Sequence, residues 1–346
     1  MTTKVAFLFP GQGSQKVGMG ADILATSEAA RRVFTAFDDA LGFSLSQLCF
    51  EGPEDTLRST INAQPAIVAV SLAYLAAFQE ALSPHDSSWS TPLTPAFTAG
   101  HSVGECAALV AAGAIDLKGA AYLVRERGRH MHEEEIVCPG GMAAIIGMDE
   151  EAVQQICQEV TQQQTTVNTT GVTTHPGMGK VILANYNAPG QLVLSGEQQA
   201  LDAACALAQE RGARKVIPLS VSGAFHSPVM QPAAAKLAQS IAQTDIQNAQ
   251  IPIISNISAT PLTTGESLRA ELAQQVAESV QWVKTIEYLT GEGVTTFFEI
   301  GPGQALAGMI KRIAKGTRTL SIGSVEDLKK AVAFVQAESL LSSEAL

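Results

Sequence analysis

No apolar run in this chain is long enough to cross a membrane. The longest, Ala66 to Phe78, is interrupted by Ser71 and Tyr74 and falls short of the roughly 20 residues a spanning helix needs. It is expected to be a buried core helix. The apolar start after Lys4 stops at Pro10-Gly11 without a signal-peptide cleavage pattern, so nothing there directs export. Charge is sparse and lopsided: Asp, Glu, Lys and Arg make up 16% of residues and the formal net charge is -11, which argues against nucleic acid or an anionic membrane as the main partner. Cysteine is scarce and scattered. Cys49, Cys106, Cys138, Cys157 and Cys205 are odd in number and lack metal-ligand spacing, which argues against a disulfide framework or a zinc site and makes a reducing cytoplasm the expected location. Two nucleotide motifs also fail. After Gly11-Gln12-Gly13 the dinucleotide fingerprint would need a third glycine where Lys16 stands, and a P-loop would need lysine where Met19 follows Gly18.

What is present is an alternation of strand and helix signals. Val5 to Phe9 is a continuous apolar run closed by Pro and Gly, the pattern of a buried parallel strand. Helical patterns follow over residues 27–41, 53–60 and 65–82, then a Pro/Ser-rich connection from Ser83 to Pro95 and a short strand at Ala96 to Ala99. Asp116 can cap a helix running to about Glu135. Met142 to Met148, residues 149–160, Val181 to Tyr186, Gln191 to Ser195, residues 197–211 and Lys215 to Leu219 give the order βαββαβ, with Asn187 to Gly190 turning between the middle strands. The Gln/Thr-rich stretch Thr161 to Lys180 is expected to be an extended surface loop. Further on come a strand at Ile251 to Asn256, a helix over residues 266–279, a strand at Thr296 to Ile300, and the tight turn Gly301-Pro302-Gly303 into a helix. The predicted fold is therefore α/β: an α/β-hydrolase-like core with a largely parallel sheet, carrying an inserted ferredoxin-like subdomain. Residues 1–137 and 217–346 are assigned to the large subdomain and 138–216 to the small one.

Three positions carry candidate chemistry. Gly100-His101-Ser102-Val103-Gly104 reads as Gly-x-Ser-x-Gly at the start of an apolar helix, where a nucleophile elbow would push the serine oxygen into the open and the glycines would let backbone pass. Ser102 with Glu105 three residues on is equally an ordinary capping box. Arg127 shares the apolar stripe of its helix with Ala120, Leu123, Val124 and Met131, so its cation needs an anion: an internal glutamate, or a substrate carboxylate held bidentately. His226 lies just before Ser227-Pro228, a helix cap and first-turn pair. It is the histidine best located for a site, although a solitary loop histidine is commonly structural.

The ordered set Phe9 to Gln15, Gly100 to Glu105, Arg127-Gly128, Ala184 to Gln191, Ala224 to Pro228, Gln275 ahead of Trp282, and Gly301 to Gly303 resembles the malonyl-CoA:acyl carrier protein transacylases over about residues 4–318. These are discrete relatives of polyketide-synthase acyltransferase domains. The resemblance implies that Ser102 is the acylated nucleophile, that His226 is its general base oriented by the main-chain carbonyl of Gln275, and that the N–H groups of Gln12 and Val103 form the oxyanion hole. It further implies that Arg127 grips the malonyl carboxylate, and that Phe225 goes with malonyl and against branched units. On this reading malonyl-CoA is the donor, no cofactor or metal is bound, and the phosphopantetheine is carried by an acyl carrier protein in fatty-acid or polyketide synthesis. That partner would dock on a basic cluster, Lys311, Arg312, Lys315 and Arg318, with Arg211, Arg214 and Lys215 as a second; either is equally a solvated face. The rival readings are a serine hydrolase or thioesterase using the same Ser102 and His226, which for neutral acyl groups has no need of Arg127, and a silent carrier-binding module.

Overall fold

The computed structural model describes residues 3–83, 93–167 and 179–340. Ten strands run in chain order: β1 (Lys4–Phe9), β2 (Phe97–Gly100), β3 (Gly140–Ile146), β4 (Val181–Ala188), β5 (Gln191–Glu197), β6 (Lys215–Pro218), β7 (Ile253–Ile254), β8 (Pro261–Leu262), β9 (Val294–Ile300) and β10 (Arg318–Ile322) among the described residues. They form two sheets. The larger has the order β10-β9-β1-β2-β7-β8 and is parallel except for β8, while the smaller, β4-β5-β3-β6, is wholly antiparallel. The apolar run of β1 sits at the centre of the parallel sheet, buried on both faces as a central parallel strand must be. In the small sheet the βαββαβ order produces strand positions 2-3-1-4, the ferredoxin-like arrangement, with its own core of Ile145, Val153, Ile156, Leu194 and Leu201.

The helix Thr60–Leu82 is longer than its apolar run suggested. At 23 residues it would reach across a membrane, yet 89% of its most apolar window is buried inside the protein. It lies on the parallel sheet through a cluster of rings, Phe78 with centroids 5.4 Å from Phe298 and 6.4 Å from Phe7. Pro65 within it has no N–H to give the Ile61 carbonyl, and Arg125 donates to that carbonyl instead at 2.7 Å. The helix Leu117–Val137, capped by Asp116 as expected, crosses nearby, and a Cβ on Gly128 would come within 2.9 Å of the Thr60 carbonyl oxygen. That missing methyl lets Arg127 approach the buried helix.

Other expectations need correction. The stretch 161–167 continues the helix Glu150–Val167 instead of opening a loop; residues 168–178, like 84–92 of the Pro/Ser-rich connection and the last six residues of the acidic tail, lie outside the described residues. The predicted strand 251–256 shrinks to Ile253–Ile254, because Ser255 and Asn256 turn away into side-chain hydrogen bonds. The C-terminal stretch, to which the sequence pattern assigns no element, adds two: β10 pairs with β9, and after Ile322 the segment Val325–Ala337 is a helix burying Leu328, Ala331 and Val335 at helical spacing.

The two sheets are stitched by main chain. Val280 donates to Ala184 and accepts from Tyr186, at 2.8 and 3.0 Å, and Arg312 spans from its helix to Gln191 and the Pro189 carbonyl.

The parallel sheet places β2 and its following turn against the end of β1 at very short range. A Cβ on Gly104 would lie 2.2 Å from the Phe9 oxygen, and one on Gly100 would lie 1.9 Å from the Gly104 carbonyl carbon. Gly104→Ala is therefore expected to lower the unfolding free energy by about 3 kcal/mol, the upper part of the usual overpacking range. Gly308→Ala, in a helix where a Cβ would meet nothing within 4 Å, is the control and should be neutral or stabilising in the same urea titration.

Candidate active site

Ser102 occupies the turn between β2 and the helix Gly104–Ala111 with φ at 53°, and His226 has φ at 57°. Left-handed backbone is uncommon for residues with a Cβ and is held only where the surroundings force it. Here the two strained residues face each other: Ser102 Oγ is 2.6 Å from His226 Nε2. On the far side of the ring, Nδ1 lies 2.9 Å from the Gln275 carbonyl oxygen and 3.1 Å from that of Glu278. A carbonyl can only accept, so the proton sits on Nδ1 and Nε2 is the bare nitrogen that takes the serine O–H. Gln275 ends the helix Gly265–Gln275, and its carbonyl is free for this because the last carbonyls of a helix have no partner within it.

The capping-box interpretation fails in both halves. The Ser102 hydroxyl is turned to His226 instead of capping, the Ser102 N–H goes to Asn256 Oδ1 at 2.8 Å, and the Glu105 carboxylate accepts from Gln275 Nε2 at 2.5 Å.

Arg127 is buried, and no carboxylate forms an ion pair with it among the described residues, so the internal-glutamate reading also fails. Its guanidinium donates to neutral amide oxygens, Gln64 Oε1 at 2.7 Å and Gln275 Oε1 at 2.8 Å, and to Ser102 Oγ at 3.1 Å. Burial holds its pKa below the usual arginine range. Burial also pushes the Glu105 carboxyl well above its ordinary range, helped by the negative charge of Glu271 and opposed by the Gln275 amide and the Arg127 charge. The His226 imidazole is pulled from an ordinary 6.5 down to about 3, first by burial and then by the Arg127 charge.

The loop after β1 lies against the elbow. A Cβ on Gly11 would be 2.7 Å from the His101 carbonyl oxygen, and the Gln12 side chain reaches Thr60 Oγ1 at 3.4 Å. Neither the Gln12 nor the Val103 N–H meets a protein acceptor among the described residues. Gln12 and Thr60 also line a cleft of about 320 Å³ together with Arg58, Ser220 and Ser222. Among the described residues no group of three or more His, Cys, Asp or Glu could hold a metal ion.

Thus Ser102, His226, Arg127 and Gln275 meet within hydrogen-bond reach, from four separate parts of the chain. Sequence reasoning missed Gln64, Asn256 and Asn187, whose Oδ1 stands 2.8 Å from His101 Nε2. Gln64 carried a signal, as a polar residue entering an otherwise apolar helix. Of the basic cluster, Arg312 is committed to the Gln191 side chain, and Arg318 lies over the Phe334 ring and pairs with Glu338. Arg211 of the second cluster pairs with Glu159.

Comparison with known proteins agrees with this architecture. The Bacillus subtilis malonyl CoA-acyl carrier protein transacylase is 42% identical over 337 residues, covering 97% of this chain and 99% of that protein. The Escherichia coli K12 protein of the same name is 37% identical, covering 90% and 93%. Among solved structures, an acyl-carrier-protein-S-malonyltransferase from Bartonella henselae aligns with a TM-score of 0.86 at 38% identity, covering 97% of this chain and all of that one. A type II PKS acyl-carrier protein in complex with its malonyl-transacylase aligns equally well, with a TM-score of 0.86 at 35% identity and coverage of 96% and 100%. The acyl transferase domain model matches residues 6–338, and the chain belongs to that family.

Proposed function

We propose that this protein moves a malonyl group from malonyl-CoA to the phosphopantetheine thiol of an acyl carrier protein through a malonyl ester on Ser102. The observation that carries the reading is a buried guanidinium with no carboxylate partner among the described residues, 3.1 Å from the same serine oxygen that a neutral histidine contacts at 2.6 Å. In the first half-reaction Ser102 Oγ attacks the thioester carbon while its proton passes to His226 Nε2. The Gln12 and Val103 N–H groups receive the oxyanion. Collapse breaks the C–S bond and the proton moves from Nε2 to the CoA sulfur, leaving the ester. In the second, the carrier's thiol gives its proton to Nε2, sulfur attacks the ester carbon, collapse breaks the bond from that carbon to Ser102 Oγ, and the proton returns to Oγ. Arg127 exchanges the Gln64 and Gln275 amide oxygens for the malonyl carboxylate, a stronger partner.

That exchange also tunes the base. Arg127 is the second cause of the low His226 pKa, so a carboxylate bound to it cancels part of the effect and makes the imidazole more basic when malonyl arrives. A hydrolase of neutral acyl groups has no use for this arrangement. Phe225, buried next to His226, is assigned to malonyl preference. For carrier docking we favour Lys311 and Lys315, since Arg312 and Arg318 are engaged within the chain; a local cationic surface would offset the overall acidity. Five free thiols among the described residues fit a reducing cytoplasm.

Mass spectrometry after incubation with malonyl-CoA should find an ester on Ser102 that carrier protein discharges, and Ser102→Ala should abolish it. Rapid release of free malonate without carrier protein would favour the hydrolase. Arg127→Ala is expected to slow malonyl transfer at least about 30-fold while sparing acetyl transfer, the usual scale for truncating one member of a buried charge pair; equal losses for both donors would make the arginine structural. Inactivation by a sulfonyl fluoride reports the free enzyme without the substrate's carboxylate. Its rate should hold as pH falls through 6.5, with the acid limb displaced toward about 3, whereas an acid limb at 6.5 would mean a solvated imidazole. Stability behaves differently: between about 6.5 and 3 only the unfolded histidine takes a proton, so His226 makes the fold less stable as pH falls through that window.

A further inference from the structure

Asn256 belongs to the turn that follows β7, and its side chain reaches across to the backbone on either side of His101. Nδ2 donates to the Gly100 carbonyl at 2.7 Å and Oδ1 accepts the Ser102 N–H at 2.8 Å. The orientation of the amide is fixed by chemistry, since a carbonyl only accepts and an N–H only donates. The two backbone groups lie on either side of His101 and lead directly into Ser102, which is held at a φ of 53°, and buried main-chain groups without partners cost about 1–3 kcal/mol each. The Asn256 amide presents one donor and one acceptor side by side, as a neighbouring strand would, at the point where β2 stops pairing.

The clamp is itself anchored. The Asn256 carbonyl accepts from the Gln281 N–H at 2.8 Å. Glu271 accepts from Ser255 Oγ at 2.6 Å and from the Ile257 N–H at 3.0 Å, and Ser255 Oγ accepts from the Ser258 N–H at 2.9 Å. Asn256 is 2% exposed, so no water competes for its amide. Every bond on the turn thus holds one side chain against the elbow.

We propose that Asn256 is a positioning residue for acyl transfer. By taking the Ser102 N–H and the Gly100 carbonyl it locks the left-handed turn that aims Ser102 Oγ at His226, and it leaves the next N–H, that of Val103, for the oxyanion. The assignment rests on Ser102 being the acylated residue, which labelling of the wild-type protein tests separately.

The experiment is single-turnover acylation by malonyl-CoA, comparing wild type, Asn256→Ala and Asn256→Asp across pH 5.5 to 9. Asn256→Ala should acylate about 30- to 100-fold more slowly, the scale of loss when a reacting group is misplaced by about 1 Å, with malonyl-CoA affinity within about twofold of wild type. Asn256→Asp provides a readout that a purely structural role would not move. A neutral carboxyl can donate to Gly100 and accept from Ser102, whereas a carboxylate cannot donate and repels the Gly100 oxygen. The ratio of Asn256→Asp to wild-type rates should therefore fall as pH rises. The ionisable groups around the turn, Glu105 and Glu271 facing the Asn256 N–H, with Arg127 and His226 beyond, are common to both proteins, so their own titration largely cancels in the ratio. Acylation of Asn256→Ala within about twofold of wild type would overturn the proposal, as would a ratio independent of pH. If the alanine variant does not fold, the aspartate ratio decides alone. Absence of any Ser102 ester in the wild type would instead overturn the reading beneath it.

Discussion

A buried positive charge with no carboxylate paired to it among the described residues is the constraint around which this molecule is arranged. The interior disfavours an isolated cation by several kcal/mol, and ordinary proteins answer with a carboxylate. Here Arg127 receives amide oxygens from Gln64 and Gln275, which satisfy its N–H groups without neutralising it. Glu105 could have supplied the charge, but burial and the Glu271 charge push its pKa well above the ordinary carboxylate range, which disfavours its charged form. The unmet electrostatic demand is thus kept at the site and is available to an incoming carboxylate.

Bringing those partners together requires backbones to pass closer than side chains allow. Gly128 lets the arginine's helix lie on the start of the buried helix that carries Gln64, and Pro65 on the next position leaves the Ile61 carbonyl for Arg125, which ties the same two helices again. Gly104 admits the Phe9 strand end beside the elbow, Gly100 lets the start of the elbow helix lie back on β2, and Gly11 brings the Gln12 loop against His101. Gly128, Gly104 and Gly11 each fix a distance between elements far apart in sequence, so the site is assembled by the fold more than by any one loop.

That distinction explains what could be read from the sequence. An apolar run closed by Pro and Gly announced β1, the Gly-x-Ser-x-Gly motif placed the short strand before Ser102, and the βαββαβ order announced the second sheet, because these features follow from local pattern. The stripe of Ala120, Leu123, Val124 and Met131 showed that Arg127 points inward. It could not show that its partners are amides, since Gln64 and Gln275 are brought to it by tertiary packing. Val325–Ala337 was passed over because its acidic residues hid Leu328, Ala331 and Val335, three apolar residues at helical spacing. Asn256 had no local signature at all: a single asparagine after a two-residue strand acquires its meaning only from the turn 154 residues earlier in the chain, across which its amide fits.

Gln275 shows how tightly charge recognition and proton transfer are joined. Its main-chain carbonyl accepts from His226 Nδ1, its side-chain oxygen accepts from Arg127, and its side-chain nitrogen donates to the Ser102 carbonyl at 3.0 Å and to Glu105. A carboxylate that takes over the arginine frees that amide oxygen, on the same residue whose backbone sets the imidazole. The Arg127 charge also lowers the His226 pKa, after burial, so on the proposed reading a carboxylated acyl group bound to Arg127 raises the proton affinity of the imidazole. An uncharged acyl group leaves Gln275 on Arg127 and the imidazole weakly basic. On the proposed reading, part of the selectivity for a charged acyl group therefore comes from the electrostatics around the Ser102–His226 pair as well as from the shape of a pocket.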